Sequence, residues 1–174
     1  MHSLQVQNFA LALARVWLGA MIFAHGWRHR QAVSSGPGIA QWFESLGLKP
    51  GPLHAWNVTL TELGVGVILV LGIVTPLAYG GLAALLLVAA VTAHRKNGFF
   101  INNNPAGWEY VVTISVVAIA LGALGPGNWS LDHAIGLKFP FQDGTALLIT
   151  AIAGIGGTAA FLAAFWRPPK TQES

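Results

Sequence analysis

The stretch that decides the fold is Pro50–His94, PGPLHAWNVTLTELGVGVILVLGIVTPLAYGGLAALLLVAAVTAH, in which Glu62 is the only formal charge. A helix needs about 20 predominantly apolar residues to cross hydrocarbon, and this run is too long for one crossing. Thr75-Pro76 near its middle is a turn signal, because proline has no N–H to donate and its ring crowds the preceding turn. The run therefore predicts one span over residues 55–74 and a second over 77–93.

Outward from there the same pattern recurs. Residues 9–27 are apolar except for Arg15 and His25, residues 108–124 are stopped by Gly125-Pro126-Gly127, and residues 145–166 are stopped by Pro168-Pro169. The first of these lacks the basic leader and the small-residue cleavage site of a signal peptide, so it is expected to stay as a helix. Composition agrees. Over 174 residues 54% are apolar and only 9% charged, whereas a soluble domain carries about 25% charged residues. Mean hydropathy is +0.60. The expectation is an all-α transmembrane helical bundle, a single membrane domain over residues 1–174.

Two connections are long enough to carry structure. After Gly36-Pro37-Gly38, residues Ile39, Trp42, Phe43 and Leu46 recur at helical spacing and Gly47 closes the segment, which predicts a short amphipathic helix at the interface. Between residues 126 and 144, Trp129, Phe139 and Phe141 also suit the interface. Small residues at Gly64/Gly66, Gly80/Gly81 and Gly154/Gly157 read as points of close helix approach. Asn102-Asn103-Asn104-Pro105 reads as a turn.

With five spans, Arg28, Arg30, Lys49, Arg95, Lys96, Arg167 and Lys170 fall on one side and Lys138 on the other. The positive-inside rule then predicts a multi-pass protein of the cell (inner) membrane, with its N-terminus outside and its C-terminus in the cytoplasm. The net charge of +3 is too small to suggest nucleic-acid binding. The absence of cysteine excludes disulfides, thiolate metal sites, CxxC redox chemistry and a cysteine nucleophile in this chain.

Ionisable residues within hydrocarbon are rare and mark function or a structural pair. Arg15 and Glu62 are each placed about seven residues into antiparallel spans, which predicts a charge pair. Its two readings are a lock on helix register and a ligand site. His25, His94 and Glu109 are expected at the same membrane face, toward which Glu62 also opens, with Trp108 and Tyr110 near enough to line the mouth. His25 and His29, spaced i, i+4, are weak candidates for a metal, since two interfacial histidines more often form hydrogen bonds. A haem held between His25 and His94 is less favoured still, and no metal is assigned. Ser130, Asp132 and His133 are crowded into one loop and offer no catalytic triad.

Several of these residues also carry a family likeness. Arg15 with Gly19, His25-Gly26, Gly36-Pro37-Gly38, Glu62-Leu63, Leu71-Gly72-Ile73-Val74-Thr75-Pro76, His94 with Asn97-Gly98-Phe99-Phe100, Glu109-Tyr110 and Gly125-Pro126-Gly127 with Trp129-Ser130-Leu131-Asp132 follow one another as in the DoxX family. The chain resembles this family of small bacterial membrane proteins over a core of residues 9–133. Family members often have a lysine where His29 stands, here flanked by Arg28 and Arg30. The family core has four spans, so the helix over residues 145–166 is an addition to it.

The resemblance implies a leaning toward quinone-linked redox work, because the family includes the membrane subunit of a thiosulfate:quinone oxidoreductase. On that reading Arg15, His25, Glu62, His94, Glu109 and Tyr110 are candidates for a quinone site. No cofactor is intrinsic to the chain, a quinone is the ligand, and a soluble partner at the basic cytoplasmic face carries the redox centre. The alternative is a non-enzymatic membrane scaffold or anchor for soluble redox or stress-response partners. A small transporter ranks last, since nothing resembles an inverted repeat with broken helices.

Overall fold

The computed structural model describes residues 2–137 and 144–169. Within them the chain forms α1 (His2–Ser34), α2 (Gly38–Ser45) and α3 (Gly51–Leu71). There follow α4 (Thr75–Asn97), α5 (Glu109–Leu124), α6 (Leu131–Ala134) and α7 (Thr145–Phe165). Among the described residues no strand forms beyond one isolated bridge between Leu48 and Trp166. Helices α1, α3, α4 and α7 are long and apolar enough to cross a membrane, and α5 is a shorter apolar helix. The protein is an all-α, multi-pass membrane bundle.

The long helices run up and down. One end of the bundle gathers Ser34, Gly51, Asn97, Glu109 and Phe165, with exposed Arg28, Arg30, Lys49, Arg95, Lys96 and Arg167, and is called here the basic end. The opposite, amino end gathers the start of α1, Leu71, Thr75 and Leu124. Lys138, Phe139, Phe141 and Lys170 lie outside the described residues.

Helices α1 and α3 pack antiparallel through small residues. A Cβ on Gly19 would meet the Gly66 carbonyl at 2.8 Å, and one on Gly26 would meet the Glu62 Cβ at 2.9 Å. Gly26 is therefore level with Glu62. Of the predicted close-approach glycines, Gly66 packs on Phe23 and Gly80 on Ala153, and Gly154 meets Ala83. Gly64 has no neighbour within 4 Å of a built Cβ.

The boundaries shift for local reasons. Helix α1 continues past residue 27 because no glycine-proline signal intervenes before Gly36-Pro37. Helix α3 stops at Leu71 because Gly72 takes φ 73°, and the Gly72 and Ile73 N–H groups donate back to the Ile68 carbonyl at 2.9 and 3.1 Å. This left-handed close is the standard glycine solution for a helix C-terminus. The turn is therefore Gly72–Val74, two residues ahead of the predicted break. Pro76 lies in the first turn of α4, where its missing N–H leaves no bond unmade. At its other end α4 passes through a π-helical turn, Ala90–His94, and a 3₁₀ turn, Arg95–Asn97.

Helix α2 forms where its spacing predicts, burying Phe43 with Leu48 and Ala55 while Trp42 stays exposed. Helix α5 has 16 residues, about 24 Å at 1.5 Å per residue. The loop before it folds tightly: Gly107, Trp108 and Glu109 N–H groups donate to the Phe100, Gly98 and Phe99 carbonyls at 3.0, 3.2 and 2.9 Å. Phe99, Phe100 and Ile101 project from it. Helix α7 lies against α4 and α5, with Thr150 Oγ1 3.0 Å from the Pro76 carbonyl. A π-helical turn, Ile152–Gly156, interrupts it.

Candidate functional site

The buried ionisable groups occupy two separate places. At the amino end, Arg15 is 3% exposed. Its Nη1 donates to the Leu69 and Val70 carbonyls, both at 2.8 Å, and its Nη2 donates to the Trp129 carbonyl at 2.6 Å. Leu69 and Val70 belong to the last turn of α3, whose carbonyls have no partner within the helix. A cation there also complements the negative end of the helix dipole. Asp132 completes the lock: its Oδ2 accepts from the Val74 N–H at 2.7 Å, and its own N–H donates to the Gly72 carbonyl at 3.2 Å. Val74 sits at φ 46°, ψ 43°, an outlying conformation for a β-branched residue. The carboxylate thus lies at the N-terminus of α4, on a strained turn.

The predicted Arg15–Glu62 pair does not form. Glu62 is level with Gly26, eleven residues beyond Arg15, which corresponds to about 16 Å along a helix. Equal distances from the starts of two antiparallel helices lie at different depths, so Arg15 faces the last turn of α3 while Glu62 lies further toward the basic end. Glu62, 3% exposed, pairs instead with His29 of α1, Oε2 to Nδ1 at 2.7 Å. An α1 that stops at residue 27 puts His29 outside the bundle. In the longer helix it falls within reach of the carboxylate.

Glu62 and His29 line a cavity of about 100 Å³ toward the basic end, together with His54, His94, Thr92 and Trp42. His94 and Thr92 come from the π turn of α4. His94 Nδ1 is 2.9 Å from the Ala106 carbonyl, which orients the ring. His54 is 1% exposed, clamped edge-on by Phe161 and Phe165 of α7 at ring-centre distances of 5.6 and 5.3 Å. Its Nδ1 is buried and has no hydrogen-bond partner among the described residues. The sequence reading passed over His54. Its one available signal is the i, i+4, i+8 ladder His54, Val58, Glu62, which places all three on one face of α3.

A second, apolar recess of about 210 Å³ lies between α3, α4 and α7, lined by residues such as Asn57, Thr61, Gly81 and Gly157. It shares Val58, Leu85, Val88 and Phe161 with the first cavity. The two therefore adjoin along these four side chains, the recess on the flank of the bundle and the cavity at the histidine-carboxylate cluster.

The remaining candidates go elsewhere. His25 is exposed, so it does not join His29 on the cavity wall. Glu109 Oε2 accepts from the Ile101 N–H at 3.1 Å and braces the loop. The Tyr110 hydroxyl donates to Met21 Sδ at 3.1 Å, and Trp108 packs edge-on against Phe99 at 4.7 Å. None of these lines the cavity. Among the described residues no group of three His, Asp or Glu side chains is arranged to hold a metal ion.

Most residues of the polar cavity, the Arg15 clamp and the left-handed turn lie before Lys96, with Trp129, Asp132 and Phe161 added from beyond it, and the earlier stretch is the one that a family model recognises. The DoxX model matches residues 10–95. Through that stretch the chain belongs to the DoxX family. The DoxX match spans α1 to the π turn of α4, so it holds Arg15, His29, His54, Glu62 and His94 and leaves out Glu109, Tyr110 and Asp132. Comparison with curated proteins and with solved structures returned no match.

Proposed function

We propose that this DoxX-family membrane protein binds a quinone-like carrier from the bilayer and serves as the membrane subunit of an oxidoreductase. The observation that carries this reading is the apolar recess at Thr61 and Gly157 adjoining the polar cavity at Glu62 along shared side chains. Together the two volumes, about 210 and about 100 Å³, reach the lower bound of about 300 Å³ usual for small-molecule sites. An isoprenoid-bearing ligand would lie along Val58, Leu85 and Phe161 with its polar head toward His29, Glu62 and His94.

Reduction of a quinone consumes two electrons and two protons. The cluster suits the proton half. Histidine exchanges protons near neutrality, and the His29–Glu62 hydrogen bond links the cavity to the half-buried rim of α1. His54 Nδ1 is a further hydrogen-bonding group in the wall. The electrons would come from a partner carrying the redox centre, since this chain has no cysteine to ligate an iron–sulfur cluster or form a redox disulfide. Arg28, Arg30, Arg95 and Lys96 give such a partner a basic docking face, which the positive-inside rule assigns to the cytoplasm.

The test is quinone content after purification in mild detergent, measured against an unrelated membrane protein from the same membranes. Near-stoichiometric quinone, lost in Glu62→Gln and retained in Arg15→Lys, is the expected result. Quinone at the background level in the wild type would refute the reading and favour the scaffold alternative.

A further inference from the structure

The C-terminal end of α7 returns to the loop between α2 and α3. The Arg167 N–H donates to the Gly47 carbonyl at 2.9 Å, and Trp166 Nε1 donates to the Leu46 carbonyl at 2.9 Å. Gly47 is needed there: at φ 87° its position would drive a Cβ into the Arg167 backbone. Beside this junction opens a cleft of about 400 Å³, lined by Lys49, Arg167, Glu44, Phe165 and Pro169. It is a different site from the Glu62 cavity, with which it shares no lining residue.

We infer that this cleft binds the headgroup of an anionic phospholipid. The charge arithmetic favours an anion. Lys49 and Arg167 set two positive charges against the one negative charge of Glu44, whose Oε1 is held away at the start of α3 by the Gly51 N–H at 3.0 Å. Arg167 spends Nη1 on the Trp166 and Ala163 carbonyls at 2.8 and 3.1 Å, and one Nη2 proton on the Ala164 carbonyl at 3.3 Å. Its remaining N–H groups are available, out of the five that a guanidinium offers. The Lys49 ammonium makes no hydrogen bond or ion pair among the described residues. A third cation, Arg95, lies 4.8 Å over the Trp166 ring and adds to the local potential.

Position selects a lipid over a soluble anion. The cleft is at the interface, where α7 ends and α3 begins, and one wall is Phe165 and Ala164 of the last turn of α7. Helix α7 keeps most of its apolar length exposed, so acyl chains have a flank to lie against while the phosphate meets Lys49 and Arg167. Paired basic residues between transmembrane elements at this depth are the known chemistry of headgroup pockets.

The test uses the full chain in mild detergent, titrated with phosphatidylglycerol, phosphatidylcholine or inorganic phosphate. Affinity is read by native mass spectrometry and the unfolding midpoint by tryptophan fluorescence. Phosphatidylglycerol alone should bind and raise the midpoint. Each interfacial cation contributes about 1 kcal/mol, so Lys49→Gln should weaken binding about five-fold and Lys49→Gln with Arg167→Gln about thirty-fold. Arg28→Gln with Arg30→Gln, which lie outside the cleft, should leave the phosphatidylglycerol affinity unchanged. Lys49 is exposed, so its single variant keeps the test valid if the double variant misfolds. Equal binding of phosphatidylcholine, an equal effect of inorganic phosphate, or wild-type affinity in Lys49→Gln would each overturn the assignment.

Discussion

A double-mutant cycle between Arg15 and Glu62 separates the observed arrangement from the pair that the spacing suggested. Arg15→Leu removes three charge-assisted hydrogen bonds, to the Leu69, Val70 and Trp129 carbonyls. At about 1.5 kcal/mol each, the low end for bonds to a charged group, the expected cost is about 4–5 kcal/mol. Glu62→Leu removes the bond to His29, which keeps partial solvent access, and should cost about 1–2 kcal/mol. The two sites are about 16 Å apart along the bundle, and substitutions that far apart add within about 0.5 kcal/mol. The double variant should therefore lose the sum. Reversible unfolding in mixed detergent micelles, followed by tryptophan fluorescence, measures each corner of the cycle. A favourable coupling above about 1 kcal/mol would mean that the two charges meet, and would refute the register described here. The same cycle on His29 and Glu62 should show the coupling that Arg15 lacks.

The turn between α3 and α4 gives a matched pair of predictions. Asp132→Ala should destabilise by about 2 kcal/mol, since it orphans the Val74 N–H, whereas Val74→Gly should stabilise by up to about 1 kcal/mol through relief of the left-handed conformation; unfolding midpoints of the two variants decide. Gly80→Leu should force α7 off α4 where Ala153 now lies, seen as lost protection of residues 145–165 in hydrogen exchange with α1 and α3 unaffected.

The spans were legible because hydropathy and length fix them almost without reference to the rest of the fold. Gly125-Pro126-Gly127 ended α5 as read, and the i, i+3, i+4 spacing of Ile39, Trp42 and Phe43 marked α2. The site was harder, because pairing depends on register, and a shift of a few residues in a helix start exchanges one partner for another. Arg15 looked like the mate of Glu62 only while both were counted from the starts of their spans, which in antiparallel helices lie at opposite ends. His29 carried a usable signal, since it stands in the family's lysine position between Arg28 and Arg30. Asp132 carried a weaker one, as part of Trp129-Ser130-Leu131-Asp132. Its partner, the Val74 N–H, is a backbone group in a turn that no side-chain pattern announces.

Helix α5 has a consequence for where this protein can reside. At about 24 Å it is several ångströms short of an average hydrocarbon slab of about 30 Å, while α1 spans about 50 Å. Lipids beside α5 must thin, or its apolar belt must be lengthened by something other than helix. The loop before it meets that need, since Phe99, Phe100 and Ile101 project outward and the backbone bonds of Gly107, Trp108 and Glu109 are closed within the loop. Membrane thickness thereby becomes a variable of this protein's stability. Short-chain bilayers should suit the α5 side, and thick ones should press first on the loop that supplies the carbonyl holding His94.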